Sequence, residues 1–325
     1  MKNQKVIIII VALVCLISGF MSGVYVGKLK GIPFVKRESE WSIGIYTGKD
    51  PFNFVSPANM TNPVLTANDI TDIPADLVAD PFMLKEGSMW YMFFEVINAH
   101  TDQGDIGFAI SNDGLNWSYK QIVLDEPFTL SYPYVFKWKN EYYMIPESCQ
   151  ANSIRLYKAV NFPTQWSFLQ VLLYGNYADP SIFHYDGRWW MFAESNPKGN
   201  DILRLYYADD LMGPWTEHPK SPIVSGDANI ARPGGRVLIF DDRIVRYTQD
   251  DDPTYGNQVW AFEIIELTNT SYEEKKVSEN PILKATGIGW NEKGMHHIDP
   301  HQIEENKWIA CVDGFHTFLV FGLGY

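Results

Sequence analysis

The sequence predicts an all-β fold: a five-bladed β-propeller with four-stranded antiparallel blades, closed into a ring by the N-terminal strand and preceded by one transmembrane helix. Three observations lead to this prediction. A proline-containing phrase recurs five times in the 325-residue chain, each copy contains two strand-like runs around a tight turn, and an uncharged apolar stretch lies near the start. A repeat period of about 50 residues is typical of propeller blades.

The apolar stretch covers residues 6–26, which is 21 residues without a charge. At about 1.5 Å per residue a helix of this length crosses a hydrocarbon core, and it exceeds the apolar region of a cleaved signal peptide. We therefore divide the chain into a basic N-terminus (1–5), a signal anchor (6–26), a juxtamembrane linker (27–40) and the propeller (41–325). The expected location is a single-pass membrane protein with the propeller on the extracytoplasmic or lumenal side, although the flanking charges do not decide the orientation.

The charge is unevenly distributed between these parts. The chain has 26 basic and 39 acidic residues, and residues 1–37 contain six of the basic residues and no acid. The remainder therefore carries a net charge of −19. Because nucleic-acid binders carry a basic surface, the composition argues against a nucleic-acid partner.

Each repeat begins with two strands joined by a turn. The aligned prolines are Pro81, Pro133, Pro180, Pro233 and Pro300. The turns that follow them are predicted at Glu86-Gly87, Lys139-Asn140, Asp186-Gly187, Asp241-Asp242 and Glu305-Asn306. The runs after the turns, such as WYMFF and WWMFA, are aromatic and β-branched, as strands prefer.

Two further strands complete each repeat. The third strand is predicted at 106–111, 154–159, 203–208 and 259–264, and a fourth, apolar strand follows it. The fifth repeat lacks its last strand, because the chain ends at Tyr325. The segment 41–48, followed by NPVL at 62–65, resembles the end of a blade, so we expect it to complete the last blade and close the ring.

The repeat geometry gathers polar residues at one mouth of the central channel. The innermost strand of a propeller blade lines the channel, and the second strand returns antiparallel to the same face. The residues that open the first strand are Asp80, Tyr132, Asp179, Arg232 and Asp299. The residues that end the second strand are Glu95, Glu147, Glu194, Gln249 and Asp313, and Asp250 follows Gln249. Crowded carboxylates raise one another's pKa, and paired carboxylates carry out glycoside hydrolysis, so the mouth is the candidate site. The alternative is that each acid only caps a turn.

The last repeat adds histidines to this set in the segment GMHHIDPH at 294–301. Two adjacent histidines on a strand point to opposite faces, so we expect one of His296 and His297 to be directed into the channel. A histidine in that position is a candidate metal ligand, and a divalent cation such as calcium in the channel is the candidate cofactor. The alternative is a solvated loop histidine.

The blade pattern ADP…WYMFFE, the turn SNDGLNW and the GMHH segment resemble the five-bladed furanosidase propellers of glycoside hydrolase family 43 and its relatives. A closer resemblance covers nearly all of residues 41–325. The segments EPFTLSYPYVF, MIPES, ARPGGR and RYTQDDDPTYG are similar to the N-terminal propeller of plant glucosamine inositolphosphorylceramide transferase-like proteins and bacterial relatives.

The resemblance to family 43 implies roles for three residues. Asp80 matches the general base, Asp179 the carboxylate that tunes the acid, and His296 a histidine that holds a central metal or water. The place of the family's general acid is taken by Arg232, which cannot donate a proton near neutral pH. An inverting mechanism would therefore need Glu147 or Glu194 as a relocated acid, whereas Arg232 suits an anionic group such as a phosphate or uronate.

Three functions follow as expectations. The first is a membrane-anchored module that binds a glycan or glycolipid headgroup, with an anionic group at Arg232. The second is an inverting glycoside hydrolase-like enzyme with Asp80 as base. The third is a scaffold that partners a membrane glycosyltransferase. The substitution at the family's acid position favours binding over hydrolysis.

Overall fold

The computed structural model describes residues 13–19 and 35–321. Residues 41–316 form a compact unit that contains the bulk of every sheet, and the chain outside it is grouped as a second unit. Residues 13–19 are helical. Within the described segments no helix is both long and apolar enough to cross a membrane. The predicted anchor at 6–26 lies mostly outside the described residues and stays a prediction.

The described chain forms 22 strands and three short 3-10 turns. The ring-closing strands are β1 (Val35–Gly48) and β2 (Phe54–Val55). Blade 1 contains β3 (Ala75–Glu86), β4 (Met89–Asn98), β5 (Gln103–Ser111) and β6 (Ser118–Leu124). Blade 2 contains β7 (Ser131–Trp138), β8 (Glu141–Glu147), β9 (Ser153–Asn161) and β10 (Gln165–Tyr174). Blade 3 contains β11 (Ala178–Tyr185), β12 (Arg188–Glu194), β13 (Ile202–Ala208), β14 (Thr216–Glu217) and β15 (Val224–Ser225). Blade 4 contains β16 (Leu238–Phe240), β17 (Arg243–Asp250), β18 (Gln258–Leu267), β19 (Tyr272–Lys276) and β20 (Leu283–Lys284). Blade 5 adds β21 (Ile298–Glu304) and β22 (Lys307–Phe321). The 3-10 turns are Ala67–Asp69, Cys149–Ala151 and Gly289–Asn291.

The strand order confirms the five-bladed propeller and its closure. Each of the five sheets is antiparallel and runs from an inner to an outer strand, and blades 3 and 4 divide their fourth strand into two short pieces. In blade 5 the order is β2-β1-β22-β21, so the N-terminal strand completes the last blade as predicted. A bridge between Ile43 and Leu65 adds the NPVL segment to the same edge.

The hairpin turns agree with the sequence in four blades and are shifted by one residue in blade 1. There the strands end at Glu86 and begin again at Met89, so the turn is Gly87-Ser88. Positive φ at both turn residues of Lys139-Asn140, Asp186-Gly187 and Asp241-Asp242 matches the twist of the flanking strands.

The core lies between neighbouring blades. Four apolar clusters fill these spaces, and fully buried aromatic residues such as Phe82, Phe93 and Phe192 belong to them. The three cysteines of the chain, which are Cys15, Cys149 and Cys311, are unpaired. The ring is therefore held by packing and by polar contacts between blades rather than by a disulfide.

The innermost strand carries the same backbone irregularity in blades 1, 2 and 3. Asp80, Tyr132 and Asp179 each precede a proline and have φ of 52°, 45° and 50°. The register with the second strand shifts at each of these positions, which marks a β-bulge. A non-glycine residue in this conformation costs about 1–3 kcal/mol, and bulges often redirect a side chain toward a functional site.

Blade 4 departs from the predicted repeat. Its inner strand β16 has only three residues, and the preceding ARPGG segment forms isolated bridges instead. Gly235 has φ of 142° and pairs in parallel with Ile298 of blade 5. A Cβ at Gly235 would lie 1.8 Å from the Ile298 carbonyl oxygen, so only glycine fits this close approach.

Candidate functional site

Arg232 and Asp179 form an ion pair between blades 4 and 3. The Arg232 Nε donates to Asp179 Oδ2 at 2.6 Å, and its second terminal nitrogen lies 3.4 Å from Glu147 Oε2 of blade 2. The remaining terminal nitrogen donates to Asn200 Oδ1 at 3.1 Å. Gln249 Nε2 also donates to Asp179 Oδ2, at 2.6 Å. The guanidinium is therefore bound by protein groups on three sides.

Asp80 lies beside a histidine–carboxylate pair of the last blade. His296 Nδ1 and Asp313 Oδ1 are 2.8 Å apart, and the second Asp313 oxygen accepts from the Asp80 backbone N–H at 3.0 Å. His296 Nε2 and His297 Nδ1 each lie 3.8 Å from Asp80 Oδ1. Both histidines thus face one carboxylate, unlike adjacent residues on a strand, because β21 begins only at Ile298.

The pKa values of these groups follow from burial and mutual repulsion. Burial, with Asp179 and Asp313 nearby, raises the pKa of Asp80 to about 7 against the opposing effect of His296. Burial and neighbouring carboxylates raise the pKa of Glu95 and Glu147 well above the usual range. Although burial lowers the pKa of His296, Asp313 and Asp80 raise it to about 9. Asp80 can therefore give or take a proton near neutral pH.

We call the group formed by Asp80, Glu95, Glu147, Asp179 and Asp251 the acidic cluster. Asp80 and Asp179 are at most 5% exposed, yet each has an Oδ1 without a hydrogen-bond partner in the described chain. Asp251 Oδ2 and Gln249 Oε1 are also buried without a hydrogen-bond partner in the described chain. Buried polar atoms are nearly always paired, so these acceptors indicate a place for an external donor.

The structure also shows predicted residues that lie apart from the acidic cluster. Tyr132 is fully buried, and its hydroxyl contacts Ser181 and both backbone polar groups of Gly235. Asp299 is fully buried between Arg236 Nε (2.6 Å), the Met83 N–H (2.6 Å) and His301 Nε2 (2.9 Å).

Asp250 and Glu194 are likewise held by local contacts. Asp250 Oδ2 accepts from Gln258 and Trp260 side chains, which fixes the end of β17. Glu194 Oε1 accepts from the Asn196 N–H, while its Oε2 is buried without a partner, and burial raises the Glu194 pKa to about 7. Of the two acids proposed to replace the missing general acid, Glu147 is the one that reaches Arg232 and Asp179.

The sequence did not indicate three residues of the site, which are Asn200, Asp251 and Tyr255, nor Arg236, which pairs with Asp299 apart from the acidic cluster. Asn200 follows β12 in a loop, and Asp251 and Tyr255 lie in the loop after β17, where strand periodicity gives no orientation. Arg236 stands in the irregular inner segment of blade 4, which the repeat alignment treated as a strand. The polar composition of RYTQDDDPTYG was a signal that could have pointed to the loop.

Within the part of the chain that the structure describes, Asp80, His296 and Asp313 form a group that could hold a metal ion. Their donor atoms lie within 4.8 Å of one another. Calcium prefers six to eight oxygen ligands, whereas imidazole suits ions such as zinc. The unpartnered Asp80 Oδ1 fits a cation, but the imidazole nitrogen makes the set a poorer match to calcium than the sequence suggested.

Comparison with known proteins agrees with this architecture. The family described as "Glucosamine inositolphosphorylceramide transferase 1, N-terminal" matches residues 35–315. Glucosamine inositolphosphorylceramide transferase 1 of Oryza sativa subsp. japonica is 38% identical over 298 residues, covering 85% of this chain and 40% of the relative. The Arabidopsis thaliana protein of the same name is 36% identical over 301 residues, covering 86% and 39%. The chain thus spans about 40% of the length of these relatives.

Solved structures show the same fold at low sequence identity. Zg3597, a family 117 glycoside hydrolase of Zobellia galactanivorans, has a TM-score of 0.51 and 14% identity, covering 88% of this chain and 91% of that one. The catalytic domain of the Coprinopsis cinerea GH62 α-L-arabinofuranosidase has a TM-score of 0.56 and 11% identity, covering 84% and 96%. With the match over residues 35–315, the chain belongs to the glucosamine inositolphosphorylceramide transferase 1 N-terminal family.

Proposed function

We propose that the propeller binds a glycan or the headgroup of a glycolipid at the acidic cluster. The observation that carries this proposal is the set of buried acceptor atoms without partners, which includes Asp80 Oδ1 and Asp179 Oδ1. Sugar hydroxyls are donors that would satisfy such atoms, and leaving them unsatisfied costs about 1–3 kcal/mol each. The names of the relatives, which mention glucosamine and inositolphosphorylceramide, point to the same ligand class.

The contacts of Arg232 favour a neutral sugar over the anionic one that the sequence suggested. Its guanidinium is already shared between Asp179 and Glu147, and its side chain is 12% exposed. A phosphate or uronate would have to displace one of these carboxylates and then lie beside it. The proposed ligand is therefore recognised chiefly through hydroxyl groups.

The test is binding of the full-length chain in detergent to a printed glycan array that includes neutral, amino and uronic sugars. We expect binding to neutral glycans that Asp179→Asn weakens at least tenfold, because Asn offers one oxygen where two are used. Glu273→Gln, on the outer strand β19, is the matched control and should bind as the wild type does. Binding confined to uronic acids would contradict the neutral-ligand assignment, and no binding to any sugar would overturn the proposal.

An inverting glycoside hydrolase is the second candidate. It is favoured by the pKa of Asp80, about 7, and by the raised pKa of Glu147, since a base and a proton donor are both needed. In this reading Asp80 activates water and Glu147 protonates the leaving oxygen. Hydrolysis of nitrophenyl glycosides that is lost in Asp80→Asn, together with hydrolysis of methyl glycosides that is lost in Glu147→Gln, would establish it, because only the methyl glycosides need a proton on the leaving oxygen.

Two further elements complete the proposal. The apolar residues 6–26 would anchor the propeller to a membrane, with the ring on the extracytoplasmic or lumenal side. Because the relatives are named as glucosamine inositolphosphorylceramide transferases, a membrane glycosyltransferase is the proposed partner. Protease protection of the propeller in sealed vesicles, compared with detergent-opened vesicles, tests the anchor and its orientation together.

A further inference from the structure

Tyr255 is an exposed aromatic residue at the edge of the acidic cluster. It is 43% exposed, although its ring contacts three other side chains. The Arg232 guanidinium carbon lies 5.3 Å from the ring centroid. His296 and Trp41 lie nearly perpendicular to the ring, with centroids 5.2 and 6.2 Å away. The ring therefore lies against the Arg232 guanidinium, which is paired with Asp179, and retains accessible surface.

The loop that carries Tyr255 is fixed at both ends. Asp251 N–H donates to the Ala228 carbonyl at 3.0 Å, and Asn257 N–H donates to the Asp250 carbonyl at 3.0 Å. Gly256 N–H donates to Asp251 Oδ1 at 2.9 Å. Gly256 has φ of 69°, and a Cβ there would lie 2.5 Å from the Trp41 ring. Tyr255 is thus held in one place before any ligand arrives.

The acceptors without partners lie on the same side of the molecule as this ring. Arg232, which contacts the Tyr255 ring, is paired with Asp179 at 2.6 Å, and His296, which also contacts the ring, lies 3.8 Å from Asp80 Oδ1. Asp179 is fully buried and Asp80 nearly so, and each has an oxygen without a partner. A ligand that hydrogen-bonds these oxygens would lie beside the Tyr255 ring, because Arg232 contacts both the ring and Asp179.

A pyranose combines the two surfaces that such a site needs. Its equatorial hydroxyls form a polar edge, and its axial C–H bonds form an apolar face. Aromatic side chains provide a rigid apolar surface with little loss of conformational entropy.

We propose that Tyr255 is the stacking platform of the sugar site and selects pyranoses whose hydroxyls are equatorial. This inference rests on the proposed function, because it assigns the ring face of the same ligand whose hydroxyls reach Asp80 and Asp179. Arg232 supports the platform from below through its contact with the ring. The phenol hydroxyl is not required, since the face of the ring makes the contact.

The experiment is saturation-transfer NMR with the full-length chain in detergent. The probes are methyl β-D-glucopyranoside, which has equatorial hydroxyls, and methyl α-D-altropyranoside, whose axial groups interrupt both faces. We expect the glucoside to receive saturation mainly at the C–H protons of one face and the altroside to receive little. Tyr255→Ala should weaken glucoside binding about tenfold and remove this face preference, whereas Tyr255→Phe should retain both.

Tyr174→Ala is the matched control, since Tyr174 is 81% exposed on the outer strand β10. It should leave the spectra unchanged, and the thermal unfolding of Tyr255→Ala should match that of the wild type. If Asp179→Asn abolishes glucoside binding while Tyr255→Ala does not alter it, Tyr255 does not stack on the sugar, and the proposed glycan binding at the acidic cluster stands. Equal saturation of both glycosides also overturns the platform. If neither glycoside binds the wild type, this inference fails, and the array decides the proposed function separately.

Discussion

The Tyr132 hydroxyl joins blade 2 to blade 4 across the centre of the ring. It accepts from the Gly235 N–H at 2.7 Å and donates to the Gly235 carbonyl at 2.9 Å, with Ser181 Oγ 2.8 Å away. All of these atoms are buried. A position that the sequence assigned to ligand binding therefore carries contacts between blades.

Tyr132→Phe tests this role. The substitution leaves the Gly235 N–H buried without an acceptor, so we expect the free energy of unfolding to fall by about 1–3 kcal/mol. Urea denaturation of the full chain in detergent measures the change. Tyr174→Phe, at an exposed site, should change stability by less than about 0.5 kcal/mol. An unchanged midpoint for Tyr132→Phe would show that the contact does not stabilise the ring.

Gly235→Ala should lower the free energy of unfolding more than replacing a glycine that has positive φ but open space around it. The new Cβ would approach the Ile298 carbonyl oxygen at 1.8 Å, so the two inner strands would have to separate. We expect a loss above about 4 kcal/mol, in the range that marks a specific structural conflict. Gly187→Ala is the control, since its φ of 73° is also left-handed but no atom lies within 4 Å of the added Cβ. Its expected loss is about 1 kcal/mol. Similar losses for the two variants would contradict the close approach.

Arg232→Met removes the cation that Asp179 and Glu147 share. Breaking a buried ion pair from one side costs about 3–5 kcal/mol because the remaining charge is unpaired. We expect a loss of that size at pH 8 in urea denaturation, partly restored by adding Asp179→Asn. Arg204→Met, which breaks a half-exposed pair with Glu217, should lose no more than about 1 kcal/mol. If the Asp179→Asn addition worsened stability further, the ion pair would not be the cause.

Glu194→Gln should make the protein more stable at alkaline pH. The folded state holds the Glu194 pKa at about 7, above the usual 4.5, so its contribution to stability is present below about pH 4.5 and is lost as pH rises through 7. Gln keeps an oxygen for the Asn196 N–H and carries no charge. At pH 8 the variant's melting temperature should exceed that of the wild type, and at pH 4 the gain should disappear. Glu273→Gln should show neither effect, and a gain independent of pH would refute the cause given.

The sequence was sufficient to predict the ring because the repeats encode it. Most strand positions, four of the five hairpin turns and the closing strand follow from turn residues and aromatic runs. The predicted strand ends were wrong in two blades, since β3 begins before Asp80, and β4 and β22 continue past Glu95 and Asp313. Blade 4 could not be predicted in detail, because its inner segment is shaped by a parallel contact of Gly235 with Ile298 of another blade. Such a contact leaves no periodic signal.

The site was predicted less completely than the fold. Repeat geometry did bring together Asp80, Asp179, Glu147 and Arg232, although their roles stay predictions. It could not show that Arg232 is shared between two carboxylates, because ion pairing depends on side-chain directions across three blades. Tyr255 was not predicted because it lies in an irregular loop, where the sequence has no periodicity that would indicate the direction of a side chain.

The left-handed bulge before proline recurs in blades 1, 2 and 3, with aspartate, tyrosine and aspartate at the same place. The backbone thus presents three equivalent positions around the axis. The side chain at each position determines whether it supplies a carboxyl group to the site or a hydrogen bond between blades. Asp80 and Asp179 each have an oxygen without a hydrogen-bond partner, whereas the Tyr132 hydroxyl accepts a hydrogen bond from Gly235 of blade 4. A family built on this ring could therefore relocate its reactive group from one blade to another by exchanging single residues, without any change in the path of the chain.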